Sequence, residues 1–157
     1  MRFQTVNALK LFNFEEVILK EFDMREDSLT LVTDALIVKG NNPANEECTD
    51  RFADTANLCF KGGKITEVCK EGYKYYDAMD RLIEEVPDEK IPPSEYKALL
   101  KQCKDVPLFD IIAVKEEEDS YEYQIAVDLD ESSTFWFQIS CRGTLVEWEK
   151  FKNRVVY

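Results

Sequence analysis

Clustered tyrosines beside carboxylates are the first feature of this chain that could do chemistry. Tyr73, Tyr75 and Tyr76 directly precede Asp77, and Asp80 follows within one turn. Tyrosines near carboxylates can stack on a sugar ring or hold a cationic group. The same pattern is typical of a strand end whose amphipathic tyrosines form a rim. We take Tyr73, Tyr75 and Tyr76 as candidate binding residues and keep the rim as the alternative.

Trp136 and Asp128 are the other candidate binding residues. Trp136 falls on the polar side of a regular strand pattern over residues 121–141, where an indole would offer much contact area at little entropic cost. Alternatively, the 94–103 segment or the C-terminal segment packs over it. Asp128 has acidic neighbours that could present oxygens to a hard cation, but no EF-hand spacing or glycine supports a calcium site.

Several kinds of catalytic site are excluded by composition. The chain has no histidine, which removes a Ser-His-Asp triad, a Cys-His nucleophile and a His-ligated metal. Its five cysteines are odd in number and show no Cys-x-x-Cys spacing, so we expect neither a disulfide framework nor a zinc site. We therefore predict no cofactor and no metal. A carboxylate pair from different elements could still support a hydrolase, although the sequence does not select a pair.

The charge balance bears on partners. Asp and Glu number 32 against 20 Lys and Arg, which gives a formal net charge of -12. Such a surface repels nucleic acid and anionic lipid and favours a basic protein partner, although the charge can also serve solubility alone. The N-terminus has no apolar signal region and no stretch of 18 apolar residues exists, so we expect a cytoplasmic protein that does not enter the membrane.

One helix and one exposed connection are predicted from periodicity. The helix spans residues 94–103, because Tyr96, Leu99, Leu100 and Cys103 form a single apolar stripe. Residues 72–93 are charged and aromatic, which predicts an extended surface connection with short strands near 73–77 and 81–85.

Strand patterns dominate the rest of the chain. A bulged strand is predicted over 14–24, one central strand over 29–39, and a hairpin at Gly62-Gly63. In the 121–141 hairpin, a loop at 130–134 would place Leu129 opposite Phe135. Residues 3–12 hint at a short helix, and 143–152 fit a helix or a strand.

Together these patterns predict one domain over residues 1–157. The fold is α+β and mainly β, with antiparallel sheets forming a sandwich or a partly closed barrel and one clear helix near 94–103.

Five short stretches, spread over most of the chain, have a distinctive order. They are Phe14–Val17, Asn41-Asn42, Glu71–Asp77, Glu85–Asp88 with Ile91-Pro92, and Val146–Trp148. In this order of features the chain resembles a family of small uncharacterised proteins from clostridial Firmicutes. The resemblance implies a cytoplasmic bacterial protein and transfers no activity or functional residue. The acidic, β-rich character is broadly similar to that of small bacterial immunity proteins as well.

Three functions follow as hypotheses. The first is a non-enzymatic protein-interaction module with an acidic surface that binds a basic protein. The second is a small-ligand-binding β domain, with Trp136 or the tyrosines lining a cleft. The third is a carboxylate-dependent hydrolase. The sequence does not specify an oligomeric state.

Overall fold

A computed structural model describes all residues, 1–157. Strands make up 58% of the chain, and a single helical segment of 10 residues is present, so the mainly antiparallel β fold is confirmed. The strands are β1 (Phe3–Val6), β2 (Phe12–Asn13), β3 (Ile18–Met24), β4 (Ser28–Asp34), β5 (Ile37–Val38), β6 (Arg51–Ala53), β7 (Ala56–Lys61), β8 (Lys64–Lys70), β9 (Tyr73–Tyr76), β10 (Leu82–Val86), β11 (Glu89–Lys90), β12 (Val106–Glu117), β13 (Ser120–Asp130), β14 (Ser133–Cys141), β15 (Gly143–Trp148) and β16 (Phe151–Arg154).

Ten strands form one large sheet that folds over on itself without closing into a barrel. Its order is β1-β15-β7-β4-β3-β12-β13-β14-β8-β11. The ring of Phe22 on β3 lies 5.2 Å from that of Phe137 on β14, and Phe60 on β7 lies 5.8 Å from Tyr123 on β13. The first five strands therefore face the last five as two layers, with the apolar rows of both layers buried between them.

A four-stranded sheet, ordered β16-β6-β5-β2, completes one end of the core. Trp148 is fully buried there. Its indole lies 5.7–5.8 Å from the rings of Phe3, Phe12 and Phe151. This aromatic cluster packs the four-stranded sheet, which holds Phe12 and Phe151, against β1 and β15 of the main sheet.

The predicted helix is confirmed. A 3₁₀ turn at Pro93–Glu95 leads into α1 (Tyr96–Gln102), and the predicted stripe of Tyr96, Leu99, Leu100 and Cys103 is buried. Burial also raises the pKa of the Cys103 thiol to about 12. No helix in the structure has the length and apolar character needed to cross a membrane.

The predicted hairpin at Gly62-Gly63 is wrong. The turn itself is present, with Gly62 at a φ of +63° and the Gly63 N–H donating to the Phe60 carbonyl at 3.0 Å. However, β7 pairs with β4 and β15, whereas β8 pairs with β14 and β11. The turn therefore carries the chain from one layer to the other, because local turn chemistry does not decide which distant strand offers the better apolar row.

The predicted register of the β13–β14 hairpin is also wrong, by two residues. Val127 faces Phe135 and Ile125 faces Phe137, because Asp130 pairs with Ser133 across a two-residue turn and the register shifts next to Leu129. A shift of two residues preserves the faces of both strands. Trp136 thus lies on the outer face, opposite Ala126, as predicted.

Two other segments differ from their predicted form. Residues 3–12 contain β1 and the first residue of β2, and only Leu9–Leu11 form a 3₁₀ turn. The predicted central strand over 29–39 is two strands, because Ala35 at a φ of +60° breaks it. The C-terminal segment, for which helix and strand were both open, is strand, in β15 and β16. The bulge predicted within the 14–24 strand is confirmed by a register shift between Leu19 and Glu21.

Candidate functional site: an exposed aromatic arm

Strands β9 and β10 form a separate two-stranded sheet, which we call the arm (residues 73–86). The two strands pair only with each other, and every residue in them is exposed. No arm residue belongs to the hydrophobic core. An isolated two-stranded hairpin is at best marginally stable in water, so the arm needs local anchors to keep its shape.

Large hydrophobic side chains are concentrated on the arm. Seven of the thirteen that are exposed in the whole protein lie within its fourteen residues. Single exposed hydrophobic residues are normal, but a contiguous set of this kind marks an interaction surface. The seven side chains and their exposed fractions are Tyr73 44%, Tyr75 58%, Tyr76 55%, Met79 74%, Leu82 49%, Ile83 67% and Val86 37%.

The strand register gives the arm two different faces. On one face the rings of Tyr73 and Tyr75 meet edge to face at 5.0 Å, and Glu84 lies directly opposite Tyr75. On the other face Tyr76 pairs with Leu82 beside an ion pair between Lys74 and Glu85. The first face combines two π systems with a free carboxylate, which is suited to a lysine or arginine side chain.

Gly72 anchors the base of the arm. Its N–H donates to the carboxylate of Asp88 at 2.7 Å. A Cβ at this position would lie 2.0 Å from the Val86 carbonyl oxygen, so no other residue fits without moving the backbone. The two ends of the arm are therefore held in direct contact.

Asp77 anchors the tip. One carboxylate oxygen accepts the N–H groups of Met79 at 2.8 Å and Arg81 at 3.0 Å, and the other accepts the Arg81 guanidinium. Because these hydrogen bonds favour the ionised form, the backbone N–H of Arg81 most of all, they hold the pKa of Asp77 below its usual value. The tip is thus ordered by a charged side chain.

We expect the tip to loosen in acid. A carboxyl group whose pKa is lower in the folded state stabilises that state above the unfolded pKa, and the contribution is lost as the pH falls through the folded value. In a two-dimensional amide NMR titration, the Met79 and Arg81 signals of the wild type should therefore move as the pH falls below 3.8, the ordinary pKa of an aspartate. In Asp77→Asn these signals should not titrate. Equal movement in both proteins would contradict this role for Asp77.

Trp136 and Asp128 lie on the main sheet and not on the arm. Trp136 is half-buried, and its ring meets that of Phe109 edge to face at 6.0 Å. Phe109 lies on β12, two strands away in the same layer, so its ring shields part of the indole. Asp128 accepts a hydrogen bond from the Thr134 hydroxyl at 2.6 Å. The structure brings the three tyrosines together, but it engages Trp136 and Asp128 in local packing.

Four carboxylates have a shifted pKa, and in all four the shift is downward. The hydroxyl of Tyr157 lowers the pKa of Asp50, and the ammonium of Lys20 lowers that of Asp105. Backbone N–H groups lower the pKa of Asp77 and of Asp130. A general acid needs a raised carboxyl pKa, so none of the four supplies one. The four groups are Asp50, Asp77, Asp105 and Asp130.

Sequence reasoning found the tyrosines of the arm but missed its aliphatic half. Met79, Leu82, Ile83 and Val86 lie between charged residues, where a strand pattern with apolar residues on both parities can equally indicate burial. The charged residues around them predicted that 72–93 is exposed, but no local pattern showed that these four side chains would share one hairpin with the tyrosines.

The arm therefore combines an aromatic pair, a free carboxylate and an aliphatic edge on one projecting hairpin.

Comparisons with protein-family models, with curated proteins and with solved structures find no match for this chain.

Proposed function

We propose that this protein is a non-enzymatic protein-interaction module and that the arm docks a basic protein partner. The observation that supports this most strongly is the set of seven exposed hydrophobic side chains on a hairpin that adds nothing to the core. Keeping such side chains in water carries an aggregation risk, which a partner that covers them would remove.

The composition of the arm suits a protein interface. Tyrosine is enriched among the residues that contribute most to binding energy, and the arm presents three tyrosines. Fully burying one large apolar side chain is worth roughly 1.5–3 kcal/mol. Several such side chains can therefore exceed the cost of immobilising a partner, which is about 4–15 kcal/mol.

The charge of the arm and of the residues that flank it favours a basic partner. The arm with its flanks, residues 71–90, contains seven carboxylates and only three cationic side chains, within a chain of net charge -12. Glu84 beside Tyr73 and Tyr75 offers a lysine or arginine both an ion pair and aromatic faces. The same field repels phosphate groups, so nucleic acid is disfavoured.

A protein partner fits the shape of the arm better than a small ligand does. The cleft that borders Tyr73 and Val86 has a volume of about 270 Å³. Typical small-molecule sites occupy roughly 300–1,000 Å³ and are concave. The arm is a projecting hairpin whose apolar side chains point outward, and a partner that wraps around it would cover far more of them.

Affinity capture with paired variants tests this function. Immobilised wild type is compared with a Tyr75→Ser/Ile83→Ser double variant and with a matched Val6→Ser/Val156→Ser double variant, which removes exposed hydrophobic residues away from the arm. The sequence resemblance makes a clostridial lysate the source of partners. We expect a basic protein to be held by wild type and by the Val6/Val156 variant. We expect about thirtyfold weaker binding to the arm variant, because two interface residues should each contribute at least 1 kcal/mol.

Ionic strength supplies a second readout. Attraction between an acidic arm and a basic partner should weaken as salt rises, because exposed charges are screened. Capture that is equal for both double variants and insensitive to salt would rule out the arm as the docking surface.

A further inference from the structure

Strand β12 has a long unpaired edge. It pairs with β3 only at Val106 and Pro107, and the last backbone hydrogen bond across this joint runs from the Leu108 N–H to the Val17 carbonyl at 3.0 Å. From residue 109 to 117, β12 pairs with β13 on one side and with nothing on the other. Backbone donors and acceptors are therefore available along this edge, where the two layers of the sheet diverge.

A cleft of about 570 Å³ runs along the open edge, and we call it the seam cleft. One wall is β12, from Phe109 to Glu116, with Tyr123 of β13 behind it. The opposite wall is formed by residues 9–15 and by Lys39. The cleft thus has a strand edge on one side and aromatic side chains of the core, such as Phe12 and Phe14, on the other.

The side chains of β12 alternate between the cleft and solvent over residues 110–113, between two irregularities of the strand next to residues 109 and 114. Ile111 and Ala113 pair with inward-facing residues of β13 and line the cleft. Ile112 pairs with the outward-facing Gln124 and is 41% exposed. A strand added beside residues 110–113 would therefore meet apolar groups with one set of alternate side chains and solvent with the other.

We propose that the seam cleft binds an extended peptide segment of a partner protein, which adds to β12 as a further strand and alternates apolar with basic residues. Main-chain hydrogen bonds along an exposed sheet edge supply affinity in this mode of recognition, and pockets for alternate side chains supply specificity. The proposal rests on the β12 edge and the seam cleft and is independent of the arm.

The charge of the protein disfavours a second copy as the occupant of the seam cleft. A second copy would bring the same net charge of -12 to a cleft in which carboxylates outnumber lysines, and like charges repel. A strand from a basic partner meets no such repulsion.

The charges of the cleft select basic residues in that chain. Glu15, Asp110 and Glu116 line it against two lysines. The ammonium of Lys39 donates to the carbonyl of Lys10 at 2.9 Å, which fixes its position but leaves its charge, so the lining carries one net negative charge. With a net charge of -12 on the whole chain, a peptide with lysine or arginine at alternate positions is electrostatically matched.

The test uses a defined probe. A fluorescein-labelled peptide with the sequence Lys-Val-Lys-Val-Lys-Val-Lys is titrated with the protein and followed by anisotropy. A control peptide has the same composition in two blocks, Lys-Lys-Lys-Lys-Val-Val-Val. We expect saturable and tighter binding of the alternating peptide. Hydrogen exchange of the amides in residues 109–117 should slow when that peptide is present, because their outward N–H groups become bonded.

A pair of charge reversals locates the site. Asp110→Lys and Glu117→Lys change the net charge equally, but only Asp110 lines the cleft. Asp110 pairs with the outward-facing Ala126, so it lies on the side to which the basic side chains of the peptide point. Asp110→Lys should weaken binding about fivefold and Glu117→Lys by less than about twofold, since exposed ion pairs are worth at most about 1 kcal/mol. Equal binding of the two peptides, equal losses from both reversals, or slowed exchange confined to the arm would overturn the proposal.

Discussion

We expect a protein that lacks residues 73–86 to unfold at nearly the wild-type temperature. In this variant Gly72 is joined to Pro87 through two glycines, because the two ends of the arm already touch at its base. No arm residue belongs to the 29-residue core, and β9 and β10 pair only with each other. The midpoint of thermal unfolding should shift by less than about 3 °C, which corresponds to about 1 kcal/mol in a domain of this size.

The same deletion should abolish capture of a basic partner. Stability that is retained while binding is lost would show that the arm is kept for recognition and not for folding. Differential scanning calorimetry measures the first effect and affinity capture the second. A drop of more than about 10 °C would instead mean that the arm supports the fold, and its exposed side chains would then need a structural explanation.

Trp148→Ala should cause the largest loss of stability of any single substitution we consider. Trp148 is fully buried and packs against Phe3, Phe12 and Phe151. Truncating a buried tryptophan to alanine typically costs about 3–5 kcal/mol, since transfer energy is lost and a cavity remains. Urea unfolding measures the change, and Trp136 remains as the only tryptophan to report on it.

Trp148→Phe is the matched control. The indole N–H of Trp148 is buried without a hydrogen-bond partner. An unsatisfied buried donor costs about 1–3 kcal/mol, so replacing the indole by a phenyl ring removes that penalty while keeping most of the packing. We expect the phenylalanine variant to lose less than half as much stability as the alanine variant. Equal losses in the two variants would contradict this account of the cluster.

Local periodicity predicted the elements that depend on local sequence. The stripe of Tyr96, Leu99 and Leu100 specifies a helix wherever it packs, and the charged residues of 72–93 specify exposure. The alternation in β13 and β14 placed Trp136 on the outer face even though the register was wrong, because a shift of two residues keeps the faces.

Long-range pairing was not predictable in the same way. The turn at Gly62-Gly63 would suit a hairpin, but β7 and β8 each find partners far along the chain. Which partner each strand takes depends on which pairing buries more apolar side chains between the two layers. The residues of a single turn carry no information about that burial. The free edge of β12 is likewise visible only once the whole strand order is known.

The candidate site was predicted in part. Tyrosine beside carboxylate indicated binding chemistry, and the structure places Tyr73, Tyr75 and Tyr76 on one exposed hairpin. The polar pattern around Trp136 gave a similar signal, but Phe109 from β12 packs against the indole. Whether an aromatic residue on a polar face is shielded depends on side chains from other strands. The local sequence around that residue does not show which side chains these are.

Photocrosslinking from the arm tests the docking proposal most directly. A photoreactive benzoylphenylalanine replaces Tyr75 in one protein and Tyr157 in another, since both tyrosines are well exposed but only Tyr75 lies on the arm. Each protein is irradiated in the lysate used for affinity capture, at low and at high salt. We predict one basic protein crosslinked from position 75, at low salt only, and none from position 157. The same crosslinked proteins from both positions would contradict a docking role for the arm.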